Sequence, residues 1–97
     1  MIVQRVSVQA KQGCRDKVVE ALKAAQKTMD DPATMRILIP NAGASFHTVV
    51  YEITSENLAE MEKGWEEWAA RPETAEFMQH WLQIAADWSN EIWNIEE

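Results

Sequence analysis

The sequence predicts an α+β protein in which a four-stranded antiparallel sheet carries helices on one face. Short segments rich in β-branched residues predict the strands, because such residues suit a pleated, half-buried surface. Longer segments repeat apolar residues every three or four positions, which is typical of amphipathic helices. The chain has 97 residues, 46% of them hydrophobic, so we expect one domain over residues 1–97.

A strand at Ile2–Gln9 and a helix from about Cys14 to Met29 are expected first. The strand has the sequence IVQRVSVQ and is followed by the loop residues AKQG. Apolar residues recur in the helix at Val18, Leu22, Ala25 and Met29. Proline cannot continue a helix, so the segment Asp30–Pro32 should end it.

A β-hairpin is predicted next, from strands Thr34–Ile39 and Phe46–Ile53. The turn-forming sequence PNAG lies between them and suggests a loop of about four to six residues. A shift of one residue in the hairpin would move every side chain of the partner strand to the other face. The face that Arg36 and His47 occupy therefore stays open at this point.

Two consecutive helices and a last strand complete the expected order. Thr54 and Ser55 offer the N-cap of the first helix, and Pro72 breaks this helix and suits the first turn of the next. The first apolar stripe comprises Leu58, Met61, Trp65, Trp68 and Ala69. The second comprises Ala75 or Phe77, then Trp81, Ile84 and Trp88. The last strand is short, Glu91–Glu96.

The order βαββ-αα-β corresponds to a ferredoxin-like arrangement, with the two consecutive helices as one crossover. Right-handed crossovers place both helical layers on one face of the sheet. The tryptophans of the helices then form a core or the wall of a pocket against that face. The other face stays bare, and its mixed composition suits pairing with the sheet of a second copy. Its residues are Val3, Arg5, Ser7, Gln9, Arg36, Leu38, Phe46, Thr48, Val50 and Glu52.

A pattern of apolar and aromatic residues in the second half of the chain resembles a known superfamily. Its positions are Leu58, Met61, Trp65, Trp68, Pro72-Glu73, Phe77, Trp81 and Glu91-Ile92-Trp93. The pattern is similar to that of the dimeric α+β barrel proteins, in particular the NIPSNAP-like and antibiotic-biosynthesis-monooxygenase-like small proteins. The resemblance implies a homodimer, a dimeric α/β barrel whose two sheets face each other with the helices outside. It does not imply one activity, since the superfamily includes oxygenases, isomerases, haem-handling enzymes and proteins with no known role.

Composition argues against several classes of partner. Sixteen acidic and nine basic residues give a net charge of −7, which repels nucleic-acid phosphates and anionic membrane surfaces, so neither is expected as a partner. The single cysteine, Cys14, excludes an intrachain disulfide. Because the N-terminus also lacks a signal-peptide pattern, we expect the cytosol. No metal or cofactor motif is present, and neither group is expected.

His47 and Tyr51 are the candidate catalytic residues. Both fall on the predicted third strand and on one face of it, which lies beneath the tryptophans if that face meets the helices. A neutral imidazole can accept a proton from an acidic C–H or O–H group, and a tyrosine hydroxyl can donate to a substrate carbonyl. About 13 Å of strand separates the two residues, so they could hold opposite ends of one ligand. The alternative is a histidine bonded to a loop carbonyl and a tyrosine that anchors the core.

The candidate ligand pocket consists of Trp65, Trp68, Phe77, His80 and Trp81. Trp68 and His80 are loosely similar to the Trp–His pair that helps to hold haem in haem-degrading relatives. Those relatives also use an asparagine in the first strand, which IVQRVSVQ lacks, so haem oxygenation is disfavoured. His80 is otherwise expected to be a partly exposed helix residue. On the bare face, Arg5 or Arg36 could pair with Glu52 or anchor an anionic ligand.

Three functions remain open from the sequence. One is a cofactor-independent enzyme, of monooxygenase or isomerase type, that acts on a small apolar or aromatic molecule between sheet and helices, with His47 as the base. Another is a non-catalytic dimeric module that binds a ligand or serves in a stress response. The third is an interaction domain whose sheet edges recruit partners. The second of these functions needs no pocket, whereas a filled interior beside the tryptophans, without an enclosed volume of about 300 Å³ or more, would remove the enzyme hypothesis for that site.

Overall fold

The sheet is built around the first strand of the chain. The computed structural model describes residues 1–97. Its elements are β1 (Ile2–Ala10), α1 (Arg15–Lys27), a 3₁₀ turn (Pro32–Thr34), β2 (Met35–Leu38), β3 (Thr48–Ser55), α2 (Leu58–Ala69), α3 (Thr74–Ile84) and β4 (Ala85–Asn94). The strands lie in the order β2-β3-β1-β4, and all neighbours are antiparallel. The predicted α+β, ferredoxin-like fold is confirmed.

Alternating burial along β1 identifies the face that the helices cover. Val6 and Val8 are buried, whereas Arg5 and Ser7 on the opposite face are only partly buried. Val8 is the cross-strand partner of Val49, and paired residues project to the same side of a sheet. We call the side of Val8 and Val49 the inner face and the opposite side the outer face.

The core lies between the inner face and the helices. Val8 from β1, Val18 from α1 and Val49 from β3 are fully buried, and full burial of one such side chain contributes about 1.5–3 kcal/mol. The helices contribute unequally: α1 buries three residues, α3 buries Trp81 and Ile84, and α2 buries Met61 alone. Of the three helices, α2 therefore contributes the fewest buried residues to the core. None of them combines the length and apolar character that crossing a bilayer requires.

The hairpin loop is longer than predicted. It spans residues 39–47, so Phe46 and His47 precede β3 and do not belong to it. Pro40 cannot donate to a strand ladder, which favours an early end of β2. Gly43 adopts a φ of 87°, which side chains other than glycine rarely allow. The loop therefore turns over several residues instead of closing tightly.

The ends of α2 and α3 also differ from the prediction. β3 continues through Ser55, so Thr54 and Ser55 cannot cap α2. Asn57 is the N-cap, and its side chain accepts a hydrogen bond of 2.9 Å from the amide of Glu60. Pro72 lies in the turn before α3 and not in its first turn.

The last strand is longer than predicted and changes the position of Trp88. β4 begins at Ala85, directly after the last residue of α3, and pairs with β1 along most of its length. Trp88 is therefore a strand residue opposite Val8 and not a fourth turn of α3. The interval of four residues from Ile84 to Trp88 fits both a helix face and one face of a strand, so spacing alone did not distinguish them.

Candidate ligand cavity

A cavity of about 670 Å³ lies between the helices and the inner face of the sheet. This volume is within the range of small-molecule sites, roughly 300–1,000 Å³. The sheet forms its floor, and all three helices contribute to its walls. The aromatic residues that line it are Tyr51, Trp65, Trp68, Phe77, Trp81 and Trp88.

Four of these aromatic rings form a continuous row along one wall. Trp68 meets Phe77 edge to face with ring centroids 5.6 Å apart, and Phe77 stacks on Trp81 at 5.7 Å. Trp81 meets Trp88 at 6.0 Å, so the row joins α2, α3 and β4. Such contacts add about 0.5–1.5 kcal/mol per pair beyond burial. The row therefore fixes an apolar wall, and Trp81 at 4% exposure is also part of the core.

A chain of hydrogen bonds crosses the cavity floor. The indole Nε1 of Trp65 donates to Oε1 of Gln4 at 2.9 Å, and Nε2 of Gln4 donates to Oδ1 of Asn90 at 3.2 Å. An indole N–H can only donate, so its bond sets the orientation of both amides. Gln4 is 7% exposed, and this chain satisfies the amide where water cannot. The Nδ2 group of Asn90 is left as a donor at the cavity.

Tyr51 supplies a second polar group to the cavity. It stands on the inner face of β3 as the cross-strand partner of Val6, while Asn90 partners Val6 from the opposite side. Burial raises the pKa of the Tyr51 hydroxyl above its ordinary value of 10.0, because the phenolate is poorly solvated there. At neutral pH, Tyr51 is therefore a protonated hydroxyl that can donate to a ligand.

His47 does not line the cavity. It lies in the loop before β3, where its ring meets Phe46 edge to face at 5.6 Å, and the guanidinium of Arg15 lies 4.2 Å from the centroid of Phe46. The main-chain carbonyl of His47 accepts a hydrogen bond from the amide of Ala10, and its Nδ1 is buried without a partner. The expected strand position of His47 beneath the tryptophans is wrong, because β3 starts one residue later.

His80 is also separated from the main cavity. It is exposed and contributes to a smaller cavity of about 340 Å³, which Trp68 and Phe77 share with the larger one. The structure thus brings together Tyr51, Trp65, Trp68, Phe77 and Trp81 among the predicted site residues. Neither histidine lines the larger cavity; His80 meets Trp68 and Phe77 only at the smaller one.

The arginines of the outer face are paired within the chain. Nη1 of Arg5 lies 2.9 Å from Oε2 of Glu52, and Nε of Arg36 lies 2.6 Å from Oε1. Glu52 is 7% exposed although no helix covers it, because the two arginine side chains lie over it. The structure therefore favours ion pairs of Arg5 and Arg36 with Glu52 over a role of either arginine in anchoring an anionic ligand. These three residues lie on the outer face, away from the cavity.

Sequence reasoning missed Gln4 and Asn90 as site residues. The sequence did indicate Gln4, because Gln4, Val6 and Val8 are spaced two residues apart and therefore lie on the same face of the strand. A polar residue on that predicted buried face is unusual. The signal for Asn90 depends on knowing that β4 extends back to Ala85, which the helical spacing of Trp81, Ile84 and Trp88 concealed.

Comparison with known proteins identifies the fold at low sequence identity. No protein-family model matches the chain, and no curated protein sequence matches it. An uncharacterised NIPSNAP domain protein from Burkholderia xenovorans aligns with a TM-score of 0.79 at 13% identity, over 99% of this chain and 95% of that chain. A NIPSNAP family protein from Agrobacterium tumefaciens aligns with a TM-score of 0.82 at 12% identity, over 99% of this chain and 86% of that chain.

A third solved structure represents the other group that the sequence resembles. A candidate antibiotic biosynthesis monooxygenase from Deinococcus radiodurans aligns with a TM-score of 0.70 at 12% identity, over 100% of this chain and 94% of that chain. Similarity at such identities establishes a shared fold and not a shared activity. The predicted resemblance is confirmed at that level: the chain has the ferredoxin-like fold found in NIPSNAP domain proteins and in antibiotic-biosynthesis-monooxygenase-like proteins.

Proposed function

We propose that the protein binds a small apolar or aromatic molecule in the cavity between its sheet and its helices. The cavity of about 670 Å³ beside the row of aromatic rings carries this proposal. Protein interiors are close-packed, so packing of the core does not account for an unfilled apolar cleft of this size. A space of this size with a few directed donors is typical of a ligand site.

The five tryptophans provide the test. Their indole N–H groups give separate signals in a proton–nitrogen correlation spectrum, and four of them belong to residues that line the cavity: Trp65, Trp68, Trp81 and Trp88. Trp93 pairs with Val3 on the outer face and is an internal control. Titration with methyl naphthyl ketone should shift the four signals and leave Trp93 in place. Unchanged signals, or an equal shift of Trp93, would contradict binding in the cavity.

Cofactor-independent oxygenation in the same cavity is the second candidate. It is favoured by the similarity to the Deinococcus radiodurans protein and by Tyr51, whose hydroxyl could hold the oxygen atom of an enol or enolate. The geometry does not favour His47 as the base, because His47 does not line the cavity. Anthrone discriminates between the candidates: an oxygenase converts anthrone and dioxygen into anthraquinone and water faster than buffer does, whereas a binding module does not.

We also propose that a second copy of the chain covers the outer face. Half-buried Val3, Leu38 and Val50 lie on that face, and Trp93 on it is 55% exposed. Apolar surface of this kind around an ion-pair cluster suits a self-complementary interface between two sheets.

A further inference from the structure

The charged residues that line the cavity are mostly acidic. Asp30 and Asp31 follow α1, Glu60 and Glu67 lie on α2, and Arg71 is the only basic residue among them. All four carboxylates are exposed at the rim of the cavity, so they repel an anion most strongly at low salt. The net charge of −7 for the whole chain adds to the same negative potential.

Arg71 is already engaged at one side of its guanidinium. Its Nη1 donates to both the carbonyl and the hydroxyl oxygen of Thr28, at 3.1 and 3.0 Å. Thr28 is the C-cap of α1, where the helix dipole is negative and favours a cation. The end of α1 thus holds Nη1 of the arginine and offsets part of its positive charge.

Two polar groups of the floor remain available to donate a hydrogen bond to a ligand. The bond from Trp65 orients Gln4, and Gln4 occupies the carbonyl oxygen of Asn90, which leaves Nδ2 of Asn90. The Tyr51 hydroxyl is the other donor. Tyr51 and Asn90 flank Val6 on neighbouring strands, so their Cα atoms are about 10 Å apart. An uncharged oxygen acceptor on a ligand matches either group.

We infer, on the basis of the proposed ligand-binding function, that the cavity selects neutral aromatic molecules that bear a hydrogen-bond acceptor such as a carbonyl, and discriminates against their carboxylate analogues. A carboxylate has to pass the exposed carboxylates of Asp30, Asp31, Glu60 and Glu67 and gives up part of its hydration against the aromatic rings. A ketone of the same shape keeps the aromatic contacts and the hydrogen bond without that repulsion. The selectivity thus resides in the lining and not in the size of the cavity.

Two probes of nearly equal shape test the inference: methyl naphthyl ketone, which is neutral, and naphthoate, which is anionic at neutral pH. Isothermal titration calorimetry of the intact protein should give at least about tenfold weaker binding for naphthoate at low salt, and added salt should narrow the difference. Equal affinity, or tighter binding of naphthoate, overturns the inference but leaves the proposed binding function standing. Failure of both probes to bind overturns both.

Matched variants locate the effect. The double variant Glu60→Gln with Glu67→Gln removes two lining charges and should strengthen naphthoate binding severalfold while ketone binding stays unchanged. Glu62→Gln with Glu66→Gln changes the net charge equally at positions of α2 that are as exposed as Glu60 and Glu67 but do not line the cavity, and should have a much smaller effect. If both pairs act alike, the discrimination comes from the overall charge and the inference is wrong.

A separate binding measurement tests whether the Tyr51 hydroxyl donates a hydrogen bond to the ligand. Tyr51→Phe should weaken binding of methyl naphthyl ketone severalfold and leave ethylnaphthalene, which has no acceptor, unaffected. A parallel loss for both probes would mean that Tyr51 acts through packing alone, and would overturn the assignment of its hydroxyl as the ligand's donor.

Discussion

Gln4 and Tyr51 show how single polar residues are accommodated on the covered face of the sheet. Each alternates in phase with buried valines, where an apolar residue would be the ordinary choice. Gln4 is satisfied by bonds to Trp65 and Asn90. Tyr51 instead lines the cavity. The two residues together place polar groups on the otherwise apolar floor of the cavity.

Tyr51 should titrate above pH 10.0 in the folded protein, because burial raises the pKa of its hydroxyl. It is the only tyrosine, so the near-ultraviolet absorbance of tyrosinate reports on it alone. Below a pH of about 10, the pKa of tyrosine in the unfolded chain, the Tyr51 hydroxyl is protonated in both the folded and the unfolded state, so its contribution to stability is fully present. Above that value the unfolded chain releases the proton first, so stability falls as the pH rises towards the folded pKa.

Tyr51→Phe should therefore remove part of the alkaline loss of stability. Denaturant unfolding of both proteins at neutral and alkaline pH measures this. An absorbance titration with the ordinary midpoint, or the same alkaline loss in the variant, would contradict the burial of the hydroxyl.

At the scale of elements, helix identity was predictable and element ends were not. The stripes through Leu22 and through Trp65 follow one period for several turns, so they determined α1 and α2. The ends depend on local groups with weaker signals. Thr54 and Ser55 resemble N-caps in sequence, but pairing of β3 with β1 extends through both of them. The boundary therefore moves to Asn57, because tertiary pairing outweighs the local preference.

Asn57→Ala should lower the free energy of unfolding by about 1 kcal/mol, because it removes the acceptor for the Glu60 amide. Urea denaturation gives this difference directly. Glu56→Ala is the matched control, since Glu56 is exposed and lies outside α2, and it should change stability by less than about 0.5 kcal/mol. Equal effects of the two variants would show that the cap is not at Asn57.

The strand register illustrates which parts of the site followed from the sequence. Alternation along β1 and β3 predicted that Arg5 and Glu52 share one face and that Tyr51 lies on the other, and the register agrees. The same reasoning misplaced His47, since alternation has meaning only inside a strand and β3 begins at Thr48. The aromatic part of the site was therefore predictable, whereas the acid–base part was not.

At the scale of the whole molecule, the outer face predicts self-association. The protein should have a mass of twice 11.1 kDa by light scattering at micromolar concentration. Val50→Asp introduces a charge at a half-buried position beside Glu52 and should give the single-chain mass. Gln79→Asp is the control: it adds the same charge at an exposed position of α3 and should leave the mass unchanged.

The result is interpretable only if the variant still folds, which far-ultraviolet circular dichroism checks. A lone subunit for the unmodified protein would overturn the proposed dimer. If the Val50→Asp variant is folded and still dimeric, the dimer interface must lie on another surface of the protein.

The direct passage from α3 into β4 limits how the cavity can change its width. No residue separates Ile84 from Ala85, so α3 cannot tilt without carrying β4 with it. Lys11 strengthens this junction, since its amide bonds to the carbonyl of Ile84 and its ammonium group to that of Leu82. α2 has turns at both ends and a single buried residue. If the cavity widens to fit a larger guest molecule, we therefore expect α2 to move while α3 and the sheet stay in place.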